Sequence, residues 1–133
     1  MSITTVRATL DEFTRSYIEA ALWSSCDDND KPLDATYSVE DIAPETLAKM
    51  VADCQAFQSA HGELFTEDNC THYSGEYSIT EYAGHDFWLT RNGHGCGFWD
   101  GDWTEPAATT LTDAAHACGE VDLYVGDDGL IYS

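Results

Sequence analysis

The sequence predicts an α+β fold in which about three helices pack on a small antiparallel sheet of about four strands. Two observations predict it. Apolar residues recur at helical spacing in the N-terminal half, and two glycine-containing turns in the C-terminal half are flanked by short aromatic or β-branched runs. The 133 residues match the length of one domain, and 43% hydrophobic residues suffice for a core. We therefore interpret residues 1–133 as a single acidic α+β domain.

Two helices are predicted in the N-terminal half. Residues 10–24 carry apolar side chains at helical spacing, and Thr9 and Glu12 form a capping-box pair near their start. Residues 44–65 carry a long apolar stripe, and Pro44 suits the first position of a helix. We expect both stripes to face the core rather than a partner.

The segment that follows has two interpretations. Ser78 and Glu81 have the spacing of a capping box and Gly84 is suited to a helix stop, which favours a short helix over residues 78–83. The alternative is a strand that contains Tyr77, Ile79 and Tyr82.

A first hairpin is predicted within residues 84–103, which hold three of the four tryptophans. Residues 86–90 and 97–100 would form its strands. Asn92-Gly93 lies between them, and this pair favours a type I′ turn because both central positions of that turn need positive φ.

A second hairpin is predicted at the end of the chain. Residues 121–125 and 130–132 flank a turn at 126–129 that is rich in Gly and Asp. A helix over residues 108–118, ended by Gly119, would separate the two hairpins. Joined side by side, the hairpins give the sheet of four strands.

Charge is the strongest global feature. The chain has 25 acidic and 5 basic residues, a net charge of -20. A folded protein of this mass exposes roughly 7,000 Å², or one net charge per about 350 Å², which is roughly a third of the charge density of duplex DNA. Such a protein repels nucleic acid and anionic membranes and attracts basic surfaces. Solvation of an acidic surface explains the same charge without any partner.

The cysteines indicate a reducing compartment. They are odd in number, form no CxxC pair, and follow no secretory or membrane-length apolar segment. We expect free, mostly buried thiols in a cytosol. The five are Cys26, Cys54, Cys70, Cys96 and Cys118.

No nucleophile elbow, P-loop, dinucleotide fingerprint or zinc-protease motif occurs. The enzyme-like alternative is a metal site at His85, His94 and Cys96, which a hairpin would bring together and whose atoms zinc accepts. Turn hydrogen bonds explain the same histidines. An acid/base set of His85, Asp86 and Asp100 is disfavoured because His85 and Asp86 are adjacent, and adjacent strand residues face opposite sides. No cofactor is expected in the favoured interpretation.

Direct nucleic-acid binding is disfavoured because the basic groove it needs is missing. Arg91 is the one basic residue after Lys49, and we expect it to pair with Asp86 or Asp100. The hairpin aromatics belong either to the core or to a partner-binding face.

The string GHDFWLTRNGHGCGFWD, followed near the end by GEVDLYVGDDGLIY, resembles a family of small acidic proteins encoded by tailed bacteriophages. The resemblance covers about the last 50 residues. It implies a virus-encoded protein that acts in the cytoplasm of the bacterial host. It carries over no catalytic residue, because no activity is established for that family.

Charge and resemblance together favour a non-enzymatic inhibitor of the anti-CRISPR or anti-restriction type. It would mimic nucleic acid and block the basic DNA- or RNA-binding surface of a host protein. The alternatives are a small metal-dependent enzyme and a virion or assembly component, and a homodimer stays open. The candidate partner-binding residues are Asp27, Asp28, Asp30 and Asp34 in one loop, Asp100, Asp102, Glu105, Asp127 and Asp128 in turns, and the aromatic anchors Trp99 and Trp103.

Overall fold

The computed structural model of the chain describes residues 10–70, 77–94, 97–99 and 102–133. In these ranges the fold is α+β but mostly helical, with a two-stranded antiparallel sheet in place of the predicted four strands. Its elements are α1 (Glu12–Ser24), α2 (Pro44–His61), α3 (Ile79–Arg91), α4 (Ala107–Ala117), β1 (Tyr124–Val125) and β2 (Ile131–Tyr132). Short 3-10 turns occupy Leu33–Ala35, Val39–Asp41 and Gly62–Leu64.

The two N-terminal helices are confirmed, with shifted ends. The N-cap of α1 is Asp11, whose carboxylate accepts a hydrogen bond from the Thr14 N–H at 2.8 Å. The predicted cap Thr9 lies outside the described residues. Helix α2 begins at Pro44 as predicted but ends at His61, where the backbone tightens into a 3-10 turn.

The predicted first hairpin is wrong, because residues 79–91 form helix α3. The helix starts at the predicted capping box, in which Ser78 and Glu81 satisfy each other's backbone N–H groups. It does not stop at Gly84. Gly84 instead lies against α1, where a Cβ atom would come within 2.1 Å of the Phe13 carbonyl oxygen. The glycine therefore permits a close helix crossing rather than a turn.

The Asn92-Gly93 pair has only half of the backbone that the predicted type I′ turn needs, because φ is positive at Gly93 but is -100° at Asn92. Gly93 has φ of 70°, and its N–H donates to the Thr90 carbonyl at 3.1 Å. The His94 N–H donates to the Leu89 carbonyl at 3.0 Å. This pair of bonds is a Schellman motif, which ends a helix with one left-handed residue.

The C-terminal elements follow their predictions more closely. Helix α4 occupies 107–117, and Gly119, with φ of 81°, ends it as expected. The second hairpin is present with shorter strands, in which Tyr124 pairs with Tyr132. Within the described ranges the hairpin does not continue a larger sheet; the Ala43 N–H donates to the Ile131 carbonyl at 2.9 Å and joins the hairpin to the start of α2.

All five phenylalanines of the chain meet in one aromatic cluster. Phe57 of α2 stacks on Phe87 of α3 at 4.1 Å between ring centroids. Helices α1 and α3 run roughly parallel, because Glu12 contacts Ser78 at one end and Ser24 contacts Trp88 at the other. Helices α1 and α3 therefore pack side by side, and the candidate site lies on the solvent-facing side of this pair.

Candidate partner-binding site

A groove of about 530 Å³ lies between α1 and α3. Its lining combines aromatic rings and carboxylates: Ser16, Glu19, Ala20, Trp23, Asp34, Tyr77, Glu81, Tyr82 and His85. The α1 residues recur every three or four positions, so they share one face of the helix. The groove therefore lies between one face of α1 and one face of α3. Asp34 of the 3-10 turn Leu33–Ala35 and Tyr77, which precedes α3, complete its lining.

The rings of the groove form two pairs. Trp23 lies 6.0 Å from His85 between ring centroids, and Tyr77 meets Tyr82 edge-on at 5.9 Å. Trp23 and Tyr77 are 55% and 51% exposed. Two large rings therefore stay open to solvent beside carboxylates, and they are two of only four exposed large hydrophobics among the described residues.

The groove has a fixed frame. The Ser16 hydroxyl donates to the Glu81 carbonyl oxygen at 2.6 Å and joins the two helices. The Glu81 carboxylate accepts the Ser78 N–H at 3.0 Å and holds the start of α3. This cap fixes the position of the Glu81 carboxylate, whereas Glu19 and Asp34 are exposed.

The predicted acidic loop divides into a structural residue and exposed ones. Asp27 folds the loop, since its Oδ1 accepts the N–H groups of Asn29 at 2.8 Å and Lys31 at 3.1 Å. Asp28, Asp30 and Asp34 are exposed. Of these, Asp34 alone reaches the groove.

The predicted turn acids do not form one set. Glu105 accepts the Thr109 hydroxyl at 2.7 Å and the Thr109 N–H at 2.8 Å, and these bonds lower the pKa of its carboxyl group. Asp128 accepts the Tyr132 hydroxyl, which lowers the pKa of Asp128 and raises the pKa of Tyr132 to about 12. Asp127 is exposed and Asp102 is half-buried. Asp100 lies outside the described residues.

The two tryptophans predicted as anchors differ in exposure. Trp103 is buried, and its indole N–H donates to Asp86 at 2.8 Å, so the prediction that it contacts a partner is wrong. It packs edge-on against Phe65 and Phe98 because the loop that carries it covers the aromatic cluster. Trp99 is 51% exposed and lines a smaller hollow of about 240 Å³ with Glu105 and Asp113.

Arg91 is not paired with Asp86 as predicted, and the alternative partner Asp100 lies outside the described residues. It is buried and bridges to Asp53 of α2 at 2.9 Å. Its other donors reach the Tyr17 hydroxyl and the carbonyls of Cys118 and Gly119 at the end of α4. Burial works against its charge, but the contacts with Tyr17 and Asp53 outweigh burial and raise its pKa.

The metal hypothesis loses its geometric basis with the hairpin. His85 lies within α3, His94 follows the end of that helix, and Cys96 lies outside the described residues. Among the residues that the structure does describe, no group of three His, Cys, Asp or Glu side chains is placed to hold a metal ion. His85 and Asp86 approach to 3.8 Å, which a helix permits and a strand would not.

The thiols are less buried than predicted. Cys54 and Cys70 are buried, whereas Cys26 and Cys118 are exposed. Burial raises the pKa of the Cys54 thiol well above its ordinary value. A thiol in that state is a poor nucleophile at neutral pH.

The sequence patterns did not predict Glu19, Trp23 or Tyr77 as site residues. A signal exists for Trp23, because it falls outside the apolar stripe that predicts α1 and lies on the same face as Glu19 and Ser16. A large ring on the polar side of an amphipathic helix marks a surface feature. Tyr77 offers no such signal, since it precedes its helix.

Over the described ranges, no helix combines the length and the apolar character needed to cross a membrane. Comparisons with protein-family models, curated proteins and solved structures find no match to this chain.

Proposed function

We propose that this protein is a non-enzymatic, phage-encoded inhibitor that binds the basic surface of a host nucleic-acid-binding protein. The class of partner is one whose surface evolved to hold phosphates, such as a nuclease or another host defence protein in the bacterial cytoplasm. The protein would compete with nucleic acid by offering carboxylates in place of phosphates.

The distribution of charge carries the proposal. After Lys49 the chain has 15 acidic residues and one basic residue, Arg91. Arg91 is buried and bound to Asp53, Tyr17 and two carbonyls. Lysine and arginine therefore contribute no exposed charge among the described residues after Lys49. A surface of one sign attracts the opposite sign over distances of several ångströms to a Debye length.

Exposed acids are available for this contact. Asp28 and Asp30 lie at the tip of the loop after α1, and Asp127 lies in the hairpin turn. The loop is held by Asp27, so its acids are presented by a turn with internal hydrogen bonds. Presentation on an ordered turn lowers the entropy that binding must remove.

The test is a pull-down from bacterial lysate with the tagged protein. We expect a basic nucleic-acid-binding protein to be retained at about 50 mM salt and released near about 200 mM, because charge contacts of this kind weaken steeply with salt. Added nucleic acid should also release the partner from the tagged protein. A partner whose retention is the same at both salt concentrations would contradict the proposal.

Two triple variants with equal charge loss make the test specific. Asp28→Asn, Asp30→Asn and Asp127→Asn remove three exposed acids of the predicted surface. The control, Glu63→Gln, Glu67→Gln and Asp68→Asn, removes three exposed acids elsewhere. We expect the first variant to bind about tenfold more weakly than the control, at roughly half a kilocalorie for each rim charge. Equal binding by the two would show that only net charge matters.

A further inference from the structure

We infer that the groove between α1 and α3 receives an arginine side chain of the basic partner. The inference rests on the proposed function and names the site where a specific contact is made within a larger field of negative charge. Its two components are exposed aromatic rings and carboxylates that line the same groove.

The rings favour a cation. Trp23 at the end of α1 and His85 in the middle of α3 form one pair, and Tyr77 and Tyr82 form the other at the start of α3. The faces of tryptophan and tyrosine carry negative charge density and attract cations held above them. A guanidinium group is planar and weakly hydrated, so it stacks on such rings better than an ammonium group does.

The carboxylates select the same chemistry. Glu19 and Asp34 are exposed and Glu81 is half-buried in the lining of the groove. Carboxylates bind guanidinium through two parallel hydrogen bonds, and they repel phosphates and other anions. Among the residues that the structure describes, no Lys or Arg lines the groove. A nucleotide, a nucleic acid or an anionic lipid therefore does not fit this lining.

Size indicates that the arginine arrives on a peptide segment. A volume of about 530 Å³ falls within the range of about 300–1,000 Å³ for ligand pockets, so the groove exceeds one side chain. The frame that holds it, from Ser16 to Glu81 and from Gly84 to Phe13, is internal to the fold. Such a preformed groove loses little entropy on binding.

The first test uses the protein alone and a blocked Gly-Arg-Gly peptide as the probe. The matched control peptide carries citrulline, which keeps the shape of arginine and loses its charge. We expect the arginine peptide to shift the NMR signal of the Trp23 indole N–H, and the citrulline peptide to leave it unchanged. Trp99 is an internal reference, since it is 51% exposed outside the groove. Equal shifts at both indoles, or none, would overturn the inference.

The second test compares exposed aromatic residues inside and outside the groove. Trp23→Ala and Tyr77→Ala change the groove, and Tyr124→Ala, at 56% exposure outside the groove, is their control. We expect each groove variant to raise the Kd for the partner about tenfold, as loss of a cation–π contact does. The control should stay within about twofold. Unfolding curves identify any variant that has lost its fold.

The two proposals fail in different ways. If the partner binds with strong salt dependence but Trp23→Ala binds as Tyr124→Ala does, the groove inference is wrong and the proposed function stands. If the arginine peptide binds the groove but no salt-sensitive basic partner is recovered, the proposed function is wrong. Glu19→Gln, with Glu63→Gln as its control, tests in the same way whether a carboxylate of the groove contributes to partner binding.

Discussion

Arg91 shows how one residue can join most of the fold. Its guanidinium group contacts α1 through Tyr17, α2 through Asp53 and the end of α4 through two carbonyl oxygens, while it also lies 5.3 Å from the Phe87 ring centroid. Those two carbonyls belong to Cys118 and Gly119, which follow the last turn of α4. Arginine is suited to this position because its five donors point in several fixed directions.

We expect Arg91→Met to lower the free energy of unfolding by about 3–5 kcal/mol, because it leaves a buried hydroxyl and two carbonyls without a donor. Asp53→Asn is the matched variant on the other side of the ion pair. The Asp53 side chain is 45% exposed, so its loss should cost less than about 1 kcal/mol. Urea unfolding measures both. Equal losses would mean that the ion pair, rather than the bonds to Tyr17 and the carbonyls, carries the energy.

At the scale of elements, the crossing of α1 and α3 depends on Gly84. The glycine lies inside α3, where it is less favourable than alanine by about 1 kcal/mol. Glycine is nevertheless required here, because the Phe13 carbonyl oxygen occupies the space that a Cβ atom would need. The same crossing sets the spacing of the groove on the outer side of the two helices.

We expect Gly84→Ala to destabilise the protein by roughly 1–3 kcal/mol, since the clash is with backbone and one helix must move. Gly62→Ala is the control. Gly62 has φ of -58°, and a Cβ atom there meets nothing within 4 Å. That change should be neutral or stabilising by up to about 1 kcal/mol. If urea midpoints of the two variants moved together, the close crossing would not be the reason for Gly84.

At the scale of the whole molecule, the net charge of -20 acts against folding. Like charges are brought closer together in the folded state than in the unfolded chain, and exposed Lys or Arg is scarce. Salt shortens the range of this repulsion from about 30 Å at 0.01 M to about 8 Å at 0.15 M. The protein therefore folds although repulsion between its surface charges opposes folding, because burial of its aromatic core is more favourable.

We expect the urea midpoint to rise between these two salt concentrations, because screening relieves the folded state more than the unfolded state. Urea is the suitable denaturant because guanidinium is itself a salt. The triple variant at Asp28, Asp30 and Asp127 should show a smaller rise than the wild type. A midpoint that falls with added salt would mean that surface ion pairs outweigh repulsion.

Local signals in the sequence predicted local structure well. The capping box at Ser78 and Glu81, the helix start at Pro44 and the helix stop at Gly119 were each visible in a few residues. Asn92-Gly93 predicted positive φ at both residues, which is confirmed at Gly93 and wrong at Asn92. Such features depend on backbone sterics and nearby hydrogen bonds, so a short window of sequence determines them.

The same signals did not decide which element they belonged to. A glycine with positive φ ends a helix as readily as it turns a hairpin, and residues 86–91 are aromatic enough for either structure. The decision came from contacts distant in sequence, such as Phe57 on Phe87, Arg91 with Asp53 and Gly84 against Phe13. These contacts are made only when α3 is a helix.

The sequence by itself determined the acidic charge, the capping box at Ser78, the helix start at Pro44 and the helix stop at Gly119. Tertiary structure alone decided that Trp103 is buried and that Arg91 is buried and adds no charge to the surface. It also decided that Trp23 and Tyr77 border one groove. The physical reason is distance along the chain. Trp23 and Tyr77 are more than fifty residues apart, and only the packing of α1 beside α3 brings their rings to the same site.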